Sequence, residues 1–215
     1  MNLHPTPLRT PPIWLLVLIT LSGTMAMHIF VPALPVATTE LHASIGQMQW
    51  TISLYILGLA AGQLVYGPLS DALGRRPMLL LGLSLYTLAG VAAALAPDVH
   101  SLIAARLLQA LGGCSGLVLG RAIVRDTTQA DKAVRQLALM NLMMMVGPGL
   151  APVAGGLISS SGGWRPVFWV LAAVGATTMW LTWQLLPQTG KPSGRLCAGI
   201  LATHYRRLPG SPRFG

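Results

Sequence analysis

Acidic side chains are scarce in this chain of 215 residues: Asp and Glu number 5, against 14 Lys and Arg, so that only 9% of residues are charged. A soluble globular domain carries about 25%. With 53% hydrophobic residues, too little polar surface remains to cover a water-facing fold, which argues against a water-soluble enzyme. Cysteine is nearly absent. Cys114 lies in an apolar run and Cys197 in a polar stretch, which excludes a disulfide framework and a clustered metal-ligand spacing. The apolar runs also lack a carboxylate pair, a Ser/His/Asp spacing or a metal cluster, so no reaction centre is expected and no cofactor is called for. Nucleic acid is a poor partner for the net charge of +9, because the basic residues sit in gaps between apolar runs and form no stripe with interleaved aromatics.

Long apolar runs are what the chain does have. Six segments approach the roughly 20 residues that a helix needs to cross a hydrocarbon core: Ile13 to Val31, Trp50 to Leu69, Met78 to Ala96, Leu102 to Leu119, Leu137 to Ile158 and Val167 to Leu186. Across all six, the only Lys, Arg, Asp or Glu is Arg106. Stretches such as MLLLGLSLYTLAG are apolar all round, which excludes the period-two alternation of a membrane barrel. The expected fold is therefore an all-α membrane protein with the lipid bilayer as its first partner. If the N-terminus lies inside, twelve Lys and Arg fall in inner segments and only Arg165 falls outside. That split places both termini in the cytoplasm. Residues 1–12 read as a retained cytoplasmic leader, 13–187 as the six-helix bundle, and 188–215 as a basic cytoplasmic tail.

Three stretches carry a more specific pattern. GPLSDALGRRP, Gly67 to Pro77, joins the second and third spans as a loop, with Gly67 and Gly74 for tight turning, Asp71 as an acceptor, and Arg75 and Arg76 at the anionic leaflet. A solvated turn with ordinary inside charges is the competing account. RLLQALGG opens the fourth span at Arg106, and VGPGLAPVAGG, Val146 to Gly156, occupies the fifth. Together these resemble the major facilitator superfamily. With IFVPALP, RAIVRD and GGWRPVF they resemble in particular its bicyclomycin and chloramphenicol resistance branch of drug:proton antiporters. The resemblance implies one facilitator bundle of two inverted three-helix repeats, with small amphipathic or apolar substrates and protons as partners and the bacterial inner membrane as location.

The resemblance also assigns roles. Arg106 would serve proton coupling or the cavity charge, with Gln109 nearby. Physically, an Arg within a span costs about 2.5 to 3.5 kcal/mol on insertion scales, so it should face a wet cavity or a partner, unless it snorkels to the near interface. His28 stands where many relatives carry an acid. An imidazole titrates near pH 6.5 when unperturbed, and a facilitator packing of the first and fourth helices would bring it near Arg106, whose charge favours loss of the imidazole proton. A neutral, hydrogen-bonded histidine is the alternative. In the fifth span Gly147, Ala151 and Gly155 recur every four residues as a small-residue stripe, Pro148 and Pro152 favour bending, and Gly156 completes the motif. Packing and gating are both compatible with it. Arg121, Arg125 and Asp126 either join Asp71 in an inner charge network or remain solvated.

Facilitator proteins usually hold two six-helix bundles, and this chain supplies one. Its tail resembles the segment before a seventh helix. The expectation is an exporter acting in longer or homodimeric form, with a sugar or metabolite transporter and a fragment without transport activity as alternatives.

Overall fold

The computed structural model describes residues 11–187. The assigned leader (apart from Pro11 and Pro12), the tail 188–215 and Cys197 lie outside the described residues. Helix α1 spans Ile13–His28. It stops there because Pro32 has no N–H to offer the His28 carbonyl and disfavours helix at Val31. A 3₁₀ turn at Val31–Ala33 and a short α2, Leu34–Glu40, continue the crossing. Helix α3 covers Ile45–Leu73, α4 Arg75–Ala94, α5 Val99–Thr127, α6 Ala130–Gly162 and α7 Arg165–Leu185. The described residues thus hold six helical spans long and apolar enough to cross a membrane, with the first running through the turn to Glu40.

Two departures from the sequence expectation concern the helix ends. The stretch Gly67 to Pro77 is not a loop: α3 runs through Pro68 to Leu73 and α4 starts at Arg75, so the connection is Gly74 alone. Its φ of 100° makes a glycine the natural occupant. The spans are also longer than their apolar runs, because α5 and α6 each carry a charged end past the hydrophobic segment. Hydropathy marks where lipid begins; backbone hydrogen bonding carries the helix on into the interface.

Helix α5 is the hub, packing against α3, α4 and α1, while α6 packs mainly on α1 and α7 on α4. Small residues permit this. A Cβ on Gly23 would meet the Gly113 carbonyl carbon at 3.0 Å, and one on Gly116 would collide with the Ile19 carbonyl, so α1 and α5 touch backbone to backbone. Without a hydrophobic force between helices in lipid, such close packing is the main source of association. The outer surface is apolar: Trp50, Leu57 and Leu64 are exposed along α3, and Leu142, Met145, Leu150, Val153 and Leu157 along α6.

Asp98 caps α5, accepting from the backbone N–H groups of His100 at 2.8 Å and Ser101 at 2.9 Å. Those bonds, Ser101's foremost, hold its carboxyl below the usual aspartate value. The folded chain therefore binds this proton less readily than the unfolded chain, where Asp titrates near pH 3.9. Its stabilisation is present above about pH 4 and is lost as pH falls through the folded value. Asp98→Asn, which keeps a cap acceptor, is expected to flatten this part of the acid-unfolding profile without a large loss at neutral pH; an unchanged profile would show the cap to be idle.

Candidate functional site

The interior charge sits where α1, α3, α5 and α7 meet. Arg106 lies seven residues inside α5, about 10 Å from its start at 1.5 Å per residue, and is 0% exposed. It does not snorkel. Its Nη1 donates to the Ala26 carbonyl at 2.9 Å and to Gln109 Oε1 at 2.9 Å. The guanidinium carbon stands 4.0 Å from the centre of the Tyr55 ring, 5.4 Å from Phe30 and 5.7 Å from Phe168. Three rings, from α3, α7 and the turn that follows α1, thus hold the cation by their faces, each contact favourable by about 0.5 to 2 kcal/mol and strongest where water is excluded. Phe30 and Phe168 touch each other at 4.8 Å, and Trp164 meets Phe168 edge-on at 5.9 Å, closing the cluster. Of the two environments open on sequence, wet cavity or partner, the structure shows the partner.

Helix α1 supplies acceptors along one face. Tyr86 donates to the Ser22 carbonyl at 2.9 Å and Tyr55 to that of Gly23 at 2.7 Å, one turn before the Ala26 carbonyl that takes Arg106. Each buried hydroxyl thereby finds a partner, as it must in a dry interior. The arrangement also fixes how α1 is rotated. Phe30 and Phe168 lie in the IFVPALP and GGWRPVF stretches, but nothing local shows that they, Tyr55 or the Ala26 carbonyl meet Arg106, because that depends on which segments distant in the chain pack together.

His28 is not part of this cluster. Ala26 and Phe30 face Arg106, and two residues on from Ala26 turns the helix by about 200°, so His28 falls on the opposite side. There it continues the part-exposed stripe of Trp14, Leu18, Leu21 and Met25. The pairing of His28 with Arg106 expected from sequence is corrected by this helical phase: equal depth does not bring two side chains together.

The fifth-span motif lies on α6, which remains one helix through Pro148 and Pro152. Its small-residue stripe faces α1. A Cβ on Gly147 would stand 3.1 Å from Leu21 Cδ2, Ala151 is buried, and a Cβ on Gly155 would collide with the Ile29 carbonyl. Gly156 only grazes Pro32, and Gly149 faces open space.

At the basic end, the hub of the charge network is Arg75. Its Nη1 pairs with Asp71 at 2.6 Å and with the Ser70 hydroxyl, while its Nε reaches Asp126 at 3.0 Å. The expected grouping of Arg121, Arg125 and Asp126 with Asp71 is therefore only partly formed. Arg121 turns instead to Asn141 Oδ1 and Met144 Sδ, both at 3.4 Å, and Arg125 is exposed. Arg76 donates to the Trp183 carbonyl at 2.6 Å, tying α4 to the end of α7. Because Arg75 links α3, α4 and α5 ends, Arg75→Ala is expected to lower stability by about 1 kcal/mol, and Asp71→Asn by less, given the small worth of exposed pairs. Equal thermal midpoints for the two variants would contradict the hub.

The opposite end carries a second tie that sequence reading missed. Glu40 Oε2 accepts from Trp164 Nε1 at 2.8 Å and Arg165 Nη1 at 2.9 Å, and Arg165 Nη2 donates to the Ala96 carbonyl at 3.1 Å. An open groove of about 620 Å³, lined by Ile13, Lys132, Arg135 and Leu142 among others, lies at the basic end and not at Arg106.

Six apolar spans around a buried, aromatic-caged cation define an integral membrane helical bundle. The chain belongs to the Major Facilitator Superfamily, whose family model matches residues 16–200, and it covers the N-terminal half of that fold. It is 33% identical over 202 residues to multidrug resistance protein D of Escherichia coli, covering 93% of this chain and 50% of that protein. With the bicyclomycin resistance protein homolog of Haemophilus influenzae it shares 29% identity over 184 residues, 85% of this chain and 46% of the relative. The solved D-xylose-proton symporter superposes with a TM-score of 0.72 at 15% identity, over 91% of this chain and 52% of that one, a likeness of fold alone. The chain spans about half the length of the curated relatives it matches.

Proposed function

We propose that this chain is one half of a proton-coupled exporter of small amphipathic or apolar compounds in a bacterial inner membrane, working against a second six-helix bundle with both ends of 13–187 cytoplasmic. The observation that carries the reading is Arg106: a fully buried guanidinium within a membrane span, unpaired with any acid among the described residues, is costly to the fold and is a functional group by default. The relatives named for multidrug and bicyclomycin resistance favour drugs over sugars as cargo. The twelve-to-one distribution of basic residues supports the orientation.

The second bundle, a further copy or a C-terminal half, is argued from the exposed apolar face of α6 and the half-exposed stripe of α1. That stripe carries His28, the one imidazole within the described part of the first span that a partner bundle would enclose, and we assign it the transported proton. The α1 and α6 seam at Gly155 keeps this bundle rigid while it works against the second one.

Ethidium efflux from proteoliposomes holding the whole chain, with and without an imposed pH gradient and with crosslinking to report dimers, tests the reading. Gradient-dependent efflux is expected, and His28→Phe is expected to remove the gradient dependence while leaving ethidium binding intact. Efflux absent both for the chain alone and for the chain co-reconstituted with the C-terminal half of a full-length relative would overturn it.

A further inference from the structure

Arg106 uses only one of its three nitrogens. Nη1 is bonded twice, whereas Nε and Nη2, together with Nε2 of Gln109, are buried and have no hydrogen-bond partner among the described residues. Both side chains are 0% exposed. Each unmet donor costs about 1 to 3 kcal/mol in a dry interior, and more on a charged group. The two free nitrogens of Arg106 form the side-on edge of the guanidinium, whose paired N–H groups match a two-oxygen acceptor.

No acidic side chain among the described residues fills that role. Glu40 is held by Trp164 and Arg165, Asp98 caps α5, Asp71 and Asp126 pair with Arg75, and Asp131 sits in the first turn of α6 at the basic end. The surrounding rings of Phe30, Tyr55 and Phe168 exclude water and offer no acceptor to the edge. A buried positive charge with open donors and no counter-charge is an acceptor site for something brought from outside.

We propose that the free edge of Arg106, with the Gln109 amide, binds a monoanion inside the bundle: a carboxylate, gripped by the fork, or a halide. This goes beyond the exporter reading and does not rest on it, since binding needs no flux. A carboxylate would belong to a transported molecule and a halide to the medium. The site is closed in this conformation, so the rings of Phe30 or Tyr55 move aside for entry and exchange is slow.

The test is the thermal midpoint of the whole chain in zwitterionic nanodiscs, titrated with sodium chloride, acetate or benzoate against sodium sulfate at matched ionic strength. A saturable rise at millimolar concentration is expected, following the logarithmic dependence of stability on ligand over Kd. Gln109→Met should shift that response to about tenfold higher concentration, about 1.4 kcal/mol. Arg106→Lys, which keeps the charge and loses the fork, should weaken the carboxylate response by at least about tenfold and the chloride response less. A rise with carboxylates alone marks the site as a substrate subsite, and a rise with chloride as well marks a general monoanion site. No saturable rise with any monoanion, or the same rise in all three proteins, overturns the proposal. Should the variants fail to fold, equilibrium binding of radiolabelled benzoate and chloride to the unaltered chain decides: close to one anion per chain supports the site, and less than about a tenth of that refutes it.

Discussion

Arg106→Met is expected to abolish gradient-driven efflux while leaving the bundle folded, with a thermal midpoint in sulfate equal to or above that of the parent. The two effects have one cause. The guanidinium is 0% exposed and, among the described residues, carries two unmatched nitrogens and faces no acid, so its burial is a standing cost that an apolar side chain of similar length removes. Replacing buried charged groups by well-packed apolar ones is often neutral or stabilising by about 1 to 4 kcal/mol. Against this stand the ring contacts, of which Tyr55 at 4.0 Å is the strongest; methionine keeps part of them through its polarisable sulfur. A large fall in the midpoint would make Arg106 a structural pin. Undiminished efflux would detach it from transport altogether. Arg106→Ala serves as the contrast: it opens a cavity among Phe30, Tyr55 and Phe168 and should destabilise by about 2 to 5 kcal/mol.

Gly155→Val is expected to have the largest structural effect of any single substitution on α6. A Cβ there would run into the carbonyl oxygen of Ile29, and that atom is backbone at the end of α1, next to the turn imposed by Pro32. It cannot rotate away as a side chain can. Helices α1 and α6 must then separate along the seam that Gly147 and Ala151 continue. Overpacking of this kind typically costs about 1 to 3 kcal/mol, and in a bundle joined by backbone contact the loss spreads along the interface. The readout is the yield of monodisperse, folded protein and its thermal midpoint. Gly149→Val is the matched control on the same helix, since nothing lies within 4 Å of the position where its Cβ would stand. Equal behaviour of the two variants would remove the seam from the account.

Much of the architecture is readable without coordinates. Six runs near membrane length, emptied of charge except at Arg106, are a property of local composition. Lipid tolerates only backbones that satisfy their own hydrogen bonds, so composition alone leads to helices. The stripe Gly147, Ala151 and Gly155 was visible as a spacing and does form a helix contact, because a four-residue repeat keeps one face whichever neighbour receives it. Gly67 to Pro77 has the composition of a loop and is nevertheless helical on both sides of Gly74. Proline and glycine are turn residues in water, yet within a long apolar helix Pro68 is absorbed and only Gly74, at positive φ, breaks the chain.

The partnerships were the other shortfall. Arg75 rather than Arg121 or Arg125 joins Asp71 to Asp126, because the single-residue connection after α3 folds the guanidinium back over the end of α5. His28 and Arg106 share a depth but not a face. Each of these depends on helical phase and on which helices are neighbours, quantities that no window along the chain contains.

Sequence by itself therefore determined the solvent this protein folds in, the number of its crossings and the identity of its one intramembrane charge, because hydropathy and charge act additively and locally. Only the tertiary structure decided what that charge meets. Three aromatic rings and one carbonyl reach Arg106 from segments far apart in the chain, joined by one amide of its own helix, and the edge they leave unmatched exists only because of how the helices are rotated against one another.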